Sequence, residues 1–466
     1  MKYKYYDSYE NLVKRLKKDS IDADEVIDEY IERELPIRTF SRTFMPGKCC
    51  LFNIKSEYTQ LQNKIENICK EYSDKEILAI VNDMPIIKWY SQQNNSSLSN
   101  VAIIWRDHFL EENIGLLNGF IEMGVKPYDI MALDKGDSTE HHYEIWETFK
   151  KMGFEVDVLD NALFDNQEEI SKASELIFDF IERKKDKKII ILDDGAIIST
   201  ILNDTYKENV VGILELTEMG LRRIKGLDSK PLYPILNIAK TSLKRNITYT
   251  EIANSIFLRI IQLLGAEKII GRKVVLCGYG DMGEILADKL QKFGIRVIIH
   301  DPDIMKLIIA SERGFTTYDD VEIAVEKEKP FLVIGASGYK SITNKVLDSL
   351  ESGSYVTAGA TADLYALKEL EKQANVKKEV VTNLGTQYLI GNKKITMLGN
   401  GRSVNLFNSE AIPNKSNDIF KASMLVAAKK ILENYENIPK NVCLEQVEEW
   451  IRESKILNKY YDLYLK

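Results

Sequence analysis

The stretch that most restricts the fold is "KVVLCGYGDMGEILADKLQKFGIRVIIHDPD", residues 273–303. It reads apolar strand, glycine turn, helix, apolar strand and acid, the order of a βαβ unit. Gly278, Gly280 and Gly283 form G-x-G-x-x-G at the strand-to-helix junction. The first glycine permits the tight turn, the second lets backbone approach a pyrophosphate, and the third lets helix and strand pack closely. The helix N-terminus then faces phosphates with its N–H groups and positive dipole end. Asp301 ends the next strand, 23 residues after Gly278. A carboxylate there accepts hydrogen bonds from a ribose 2′-hydroxyl and repels a 2′-phosphate, so NAD is expected rather than NADP. Cys277 reads as buried filler at the strand end.

Similar alternation fills the chain upstream. "VAIIW" (101–105), "YDIMAL" (128–133), "EVDVLD" (155–160), "KIIILDD" (188–194) and "VVGILEL" (210–216) are short apolar runs suited to a buried parallel sheet, with helical segments between them. After the glycine segment come "FTTY", "FLVIGA" and "SYVTAG", then "TQYLIGNKKITMLGNG" (386–401), a hairpin turning at Gly391-Asn392. The expected class is α/β, with two doubly wound Rossmann-like domains built on parallel sheets. Residues 1–75 are polar, and "EVIDEYIERELPI" carries apolar residues at helical spacing, so a helical N-terminal extension is expected. The charged end of the chain predicts a helical C-terminal tail.

At 466 residues the chain exceeds one ordinary core. The net charge of -8 is spread out and argues against a nucleic-acid partner. No run approaches the ~18 apolar residues that cross a bilayer. The charged start is no secretory signal, and five scattered cysteines without zinc spacing fit a reducing cytoplasm and no metal.

The glycine segment resembles that of the S-adenosylhomocysteine hydrolase family, including its Tyr-Gly-Asp core and the acid after the second strand. The resemblance covers about residues 80–430. "NDMPIIKWY" and "WRDHFLEENIGLL" look like the family's entry loop and first histidine helix, "IILDDGA" like its Asp-Asp-Gly turn, and "GILELTEMG" stands where it carries Glu-Glu-Thr-Thr-Thr-Gly. "PILNIAKTSLKRN" stands at its lysine loop, and "YLIGNKKITMLGNGRSVNL" is similar to its closing hairpin and Gly-Arg-x-Val-Asn-Leu segment. The likeness implies a substrate domain over 76–245 completed by 366–430, an NAD domain over 246–365, and a tail over 431–466. It implies a small adenosine-type substrate, with hydrolysis through transient 3′-oxidation, elimination of homocysteine and water addition. It also implies a homo-oligomer, although the ending "NKYYDLYLK" lacks the family's tail spacing.

Carried over by position, His108 matches the histidine that manages protons near the leaving group. Asp194 matches the ribose-side aspartate, Lys244 the lysine that draws the 3′-hydroxyl proton, and Glu112 the carboxylate that bonds adenine. Tyr279, Asp281, Met282 and Thr217 join the three glycines and Asp301 as expected cofactor contacts. One helical turn is expected to set His108 and Glu112 on one face. Other positions depart from the family. Leu216 replaces a glutamate, Glu218 and Met219 replace threonines, Thr248 an aspartate, Ala239 an asparagine and Ala253 a cysteine. Thr357 and Ala360 replace an asparagine and a histidine, and Ile412 a second histidine. The dinucleotide half thus reads as intact and the sugar-gripping half as rewritten. This leaves two further expectations, an NAD-dependent oxidoreductase or lyase on another metabolite, and a non-catalytic NAD or nucleoside binder.

Overall fold

The computed structural model describes residues 4–6, 9–18, 20–34, 48–55, 71–136, 139–160, 167–360, 364, 367, 376–381, 384–443 and 445–466. Two large sheets dominate. The first has seven strands, all parallel. From one edge the order is Val442–Cys443, Ile235–Asn237, Val210–Glu215, Lys188–Asp193, Val101–Asp107, Ile130–Asp134 and Glu155–Val158. The chain enters it at Val101–Asp107, winds outward to Glu155–Val158, then returns to Lys188–Asp193 on the other side. This reversal makes a crevice beyond the carboxyl ends of the two central strands. Both central strands are buried almost throughout, which is why they are continuous apolar runs rather than alternating ones.

The second sheet repeats the winding. Lys273–Cys277 lies at its centre, flanked by Arg296–His300 and Thr316–Tyr318 on one side and by Leu332–Gly335, Ser354–Ala358 and Lys393–Leu398 on the other. It is mixed rather than purely parallel, because Gly385–Ile390 and Val376–Val381 continue it antiparallel. Gly391, with φ +61°, sits in the turn of this hairpin next to Asn392.

Two expectations need correction here. Residues 366–430 do not go together to the substrate half. The strands of 376–398 pair onto Ser354–Ala358 and enlarge the second sheet, whereas the helix Asn414–Asn434 packs on the first. Residues 1–75 are not simply helical either. Tyr9–Lys18 is a helix, but Ile27–Glu34 is a strand, paired antiparallel with Lys48–Ile54 in a three-stranded sheet with Lys4–Tyr6. A distant partner strand supplies the backbone hydrogen bonds, so pairing overrides the local helical spacing. Residues 35–47 and 56–70 of that extension lie outside the described residues.

The helix Asn414–Asn434 is the main tie across the first sheet. Gly212, on the strand Val210–Glu215, leaves room for it, since a Cβ there would meet Ile431 Cγ2 at 2.7 Å. Its Asp418 accepts hydrogen bonds from the N–H groups of Ile86 (2.7 Å) and Ile87 (3.0 Å). These are orphan donors in the first turn of Pro85–Gln93, whose own N-cap residue Met84 provides no side-chain bond. Burial raises the Asp418 carboxyl to about 7, against the pull of those two amides. Replacing Asp418 with Ala strands two buried N–H groups. The expected loss is about 1–2 kcal/mol of unfolding free energy, read as a lower urea midpoint with an unchanged slope. A midpoint equal to wild type would reject this cap.

Candidate functional site

Each sheet places its reactive loops at its own strand ends, and the two crevices face one another across one cavity of about 780 Å³. From the first sheet come Asp107 and His108, Lys135, Asp194, and Thr217 to Met219. From the second come Gly278 to Gly283 and Asp301, followed by the turn at Ala336 to Tyr339.

On the dinucleotide side the three glycines differ physically. Gly278 has φ +108°, and a Cβ there would lie 2.8 Å from the backbone of Ala336 and Ser337. On Gly283 a Cβ would lie 2.1 Å from the Gly278 carbonyl oxygen, so its absence allows helix and turn to close. A Cβ on Gly280 would meet nothing within 4 Å, and Gly280 lines the cavity. That vacant approach ahead of the helix Asp281–Lys292 suits a diphosphate. Asp301 is buried and lines the same cavity. Its Oδ2 accepts the Tyr279 N–H at 2.8 Å and its Oδ1 the Asp303 N–H at 2.9 Å, with Lys306 Nζ 3.5 Å away. Asp281 and Met282 also face the cavity. The Tyr279 side chain does not, because it packs in the second sheet's core against Phe315. Only its backbone belongs to the loop. The expectation that Cys277 is buried filler holds.

The substrate side is a compact set of charges. Lys421 Nζ, reaching down from Asn414–Asn434, lies 2.8 Å from Asp107 Oδ2. Burial would raise the Asp107 carboxyl, but the charges of Lys421, His108 and Lys135 outweigh it and hold the group down to about 2. Lys135 Nζ lies 2.5 Å from Asp194 Oδ1 and 3.3 Å from His108 Nε2. The groups of Asp107, His108 and Asp194 that could ligate a metal come within 4.8 Å of one another, yet both carboxylates already face an ammonium. Glu112 accepts from Asn417 Nδ2 at 2.9 Å; burial raises its carboxyl, Lys421 opposes this, and Asp107 adds to it. Glu112 Oε2 and Asn417 Oδ1 are buried without a hydrogen-bond partner among the described residues. Both residues line the cavity.

Lys244 begins a wide helical turn, Lys244–Thr248, in which the Tyr249 N–H bonds the Lys244 carbonyl. Beside Lys240 and Arg245, a lysine is by default a solvated surface cation. The structure instead leaves Lys244 half-buried against the cavity, with Nζ 3.8 Å from the centre of the Phe420 ring. Burial depresses its ammonium to about 8; Asp194 and Asp107 pull upward, and Lys421 and Lys135 push further down. His108 departs from expectation in another way. It lies between the strand Val101–Asp107 and the helix Glu111–Glu122, so it shares no helical face with Glu112, although both line the cavity. Thr217 caps the helix Glu218–Lys225, accepting from Gly220 N at 3.0 Å and donating to Glu215 Oε1 at 2.7 Å.

Sequence reasoning missed Asp107, Lys135, Lys421, Asn417 and Glu215. Glu215 is fully buried, and its Oε1 also accepts the N–H groups of Gly195 and Thr217. Burial first, then Asp193 and Asp194, raises its carboxyl well above the usual range. Its only sequence signal was its place inside "GILELTEMG". The departures Leu216, Glu218, Met219, Thr248, Ala360 and Ile412 all line the cavity; Ala239, Ala253 and Thr357 are buried nearby.

Residues 260–411 match the family profile described as S-adenosyl-L-homocysteine hydrolase, NAD binding domain. That matched segment is similar to the NAD-binding domain of the S-adenosylhomocysteine hydrolase family. The chain is 29% identical over 267 residues to S-inosyl-L-homocysteine hydrolase from Methanocaldococcus jannaschii, covering 55% of this chain and 62% of that protein, so under two thirds of that relative's length is spanned. It is 26% identical over 339 residues to adenosylhomocysteinase from Thermotoga maritima, covering 66% of this chain and 82% of that one. Among solved structures, a dipicolinate synthase from Bacillus halodurans aligns at 13% identity and a TM-score of 0.37, over 71% of this chain and 98% of that one, too loosely to carry an argument. The family's cofactor is NAD, and the vacant approach at Gly280 together with buried Asp301 fits it. No helix among the described residues is long and apolar enough to cross a membrane.

Two outcomes test this site. Gly280→Ala, at φ -84°, should keep its melting temperature and weaken NAD binding, whereas Gly283→Ala should lose stability as well. Calorimetric titration and thermal unfolding of both variants check this, and equal behaviour would reject the division of labour. Lys421→Met should cost about 3–5 kcal/mol by leaving Asp107 buried and unpaired. The double variant with Asp107→Leu should recover most of that in urea unfolding, and no recovery would show that the pair is not the cause.

Proposed function

We propose that this protein is an NAD-dependent hydrolase of S-nucleosyl-homocysteine thioethers, with S-adenosylhomocysteine as the first candidate. Lys244 carries the reading. It is a half-buried amine, depressed to about 8 and held in no ion pair among the described residues, on the same cavity as His108, Asp194 and the dinucleotide loop. At neutral pH about one tenth of such an amine is uncharged, enough to act as a base on a sugar hydroxyl. NAD would supply a hydride acceptor that returns the hydride later in the cycle. Asp194, held by Lys135, would orient the sugar, and His108 would move the proton at the leaving sulfur. Glu112 and Asn417 offer buried acceptors to the N–H groups of a base.

A second reading, an NAD-dependent oxidoreductase or lyase on a different polar metabolite, is favoured by one observation. Asp107 and Lys421 put a buried ion pair beside Glu112 and the unpartnered Asn417 oxygen. Apolar Leu216 and Ile412 also stand where the family grips its substrate. A homo-oligomer in the cytoplasm is part of the first reading.

The test uses NAD-loaded protein with S-adenosylhomocysteine and S-inosylhomocysteine in parallel, followed by thiol release. Release is expected from at least one, rising from pH 7 to 9 with a midpoint near the Lys244 value of about 8, because the active form is the uncharged amine. Lys244→Met should slow it by about 10²–10⁴-fold. If neither thioether releases thiol while NAD is demonstrably bound, this reading is wrong.

A further inference from the structure

Lys135 follows the strand Ile130–Asp134 and is only 5% exposed. Its turn is pinned from the other sheet's side: Arg402 Nη1 donates to the Lys135 carbonyl at 3.2 Å, and Arg402 Nη2 bonds Asp160 Oδ2 at 2.7 Å. Gly136 keeps the turn close to Asp160, since a Cβ there would meet Oδ2 at 2.6 Å. From this fixed base Nζ reaches both Asp194 Oδ1 (2.5 Å) and His108 Nε2 (3.3 Å). Asp107, whose Oδ1 takes the His108 backbone N–H at 2.7 Å, fixes the residue from behind.

An ammonium carries three donors and no acceptor. The ring nitrogen facing it therefore offers its lone pair, and in a neutral imidazole the single N–H then lies on the other nitrogen. We propose that Lys135 is a positioning residue that fixes His108 as the Nδ1–H tautomer and ties it to Asp194 through one buried ammonium.

The consequence for catalysis rests on the hydrolase reading. When the C–S bond breaks, sulfur keeps the bonding pair and takes the Nδ1 proton, while Nε2 takes one from Lys135. When water adds, it gives a proton back to Nδ1 and Nε2 returns one to Lys135. The ring is neutral at the end of each half, as the Nε2–H tautomer after C–S cleavage and as Nδ1–H again after water adds, and Lys135 is the proton reservoir. Removal and return of the carbon-bound proton is a separate transfer.

The deciding experiment labels histidine with ¹⁵N in the full chain and reads ring protonation by long-range ¹H–¹⁵N correlation at one near-neutral pH. There are four histidines, and the signal missing in His108→Gln identifies the right one. Wild type should show Nε2 unprotonated and hydrogen-bonded. Lys135→Gln, which keeps a donor, should preserve that pattern, and Lys135→Met should mix or invert it. A wild-type proton on Nε2 overturns the proposal, as does an unchanged pattern in Lys135→Met. If Lys135→Met does not fold, the wild-type and Lys135→Gln spectra still decide. Thiol release is measured separately: Lys135→Met should lower kcat at least tenfold with KM little changed, and Lys135→Gln less. The spectra report on Lys135 even if no thioether is hydrolysed, so failure of the hydrolase reading and failure of this one are distinguishable.

Discussion

Charge compensation around one shared cavity is the constraint on which the rest depends. Lys135, Lys244 and Lys421 share the cavity with Asp107, Asp194 and Glu112. Buried charges are tolerated only when paired and hydrogen-bonded. Lys421 with Asp107 and Lys135 with Asp194 satisfy that rule, and each pair ties together elements far apart in sequence. Lys244 has no such pair among the described residues, and burial lowers its ammonium despite the upward pull of Asp194 and Asp107. The same low polarity that makes the pairs strong thus depresses the one of these three ammonium groups that has no ion pair among the described residues.

The pairs also explain how the site is held. Asn414–Asn434 caps Pro85–Gln93 with Asp418 and, one turn later, delivers Lys421 to the end of Val101–Asp107. Stability and chemistry are therefore linked through one helix. On the opposite wall the close contacts at Gly278 and Gly283 set the loop, and the empty approach at Gly280 leaves room for a ligand. The two walls meet because both sheets reverse their winding at the middle, and each reversal opens a crevice at strand ends. Arg245 spans the boundary with a bidentate bond to Asp281, joining the lysine loop to the first turn of the dinucleotide helix.

Much of this was legible from residues alone. The glycine spacing, the acid at 301 and the alternation of apolar runs dictate a βαβ unit, because strand and helix periods and a tight turn are local properties. His108, Glu112, Asp194 and Lys244 were found by position, and all four line the cavity. Where the sequence misled, a distant partner was responsible. Ile27–Glu34 has helical spacing but becomes a strand because Lys48–Ile54 pairs with it. The hairpin of 385–398 was assigned with its chain neighbours, yet the open edge of Ser354–Ala358 captures it.

The sequence by itself determined the alternation of strands and helices and the glycine loop, since these follow from turn sterics and periodicity, while His108, Glu112, Asp194 and Lys244 came from the family resemblance. Only the tertiary structure decided which charges neutralise each other. Asp107 and Lys421 stand 314 positions apart, and no local pattern predicts that they meet. Lys244 looks like a surface cation beside Lys240 and Arg245, and its ammonium is depressed only because folding shields it from water without an ion-pair partner among the described residues.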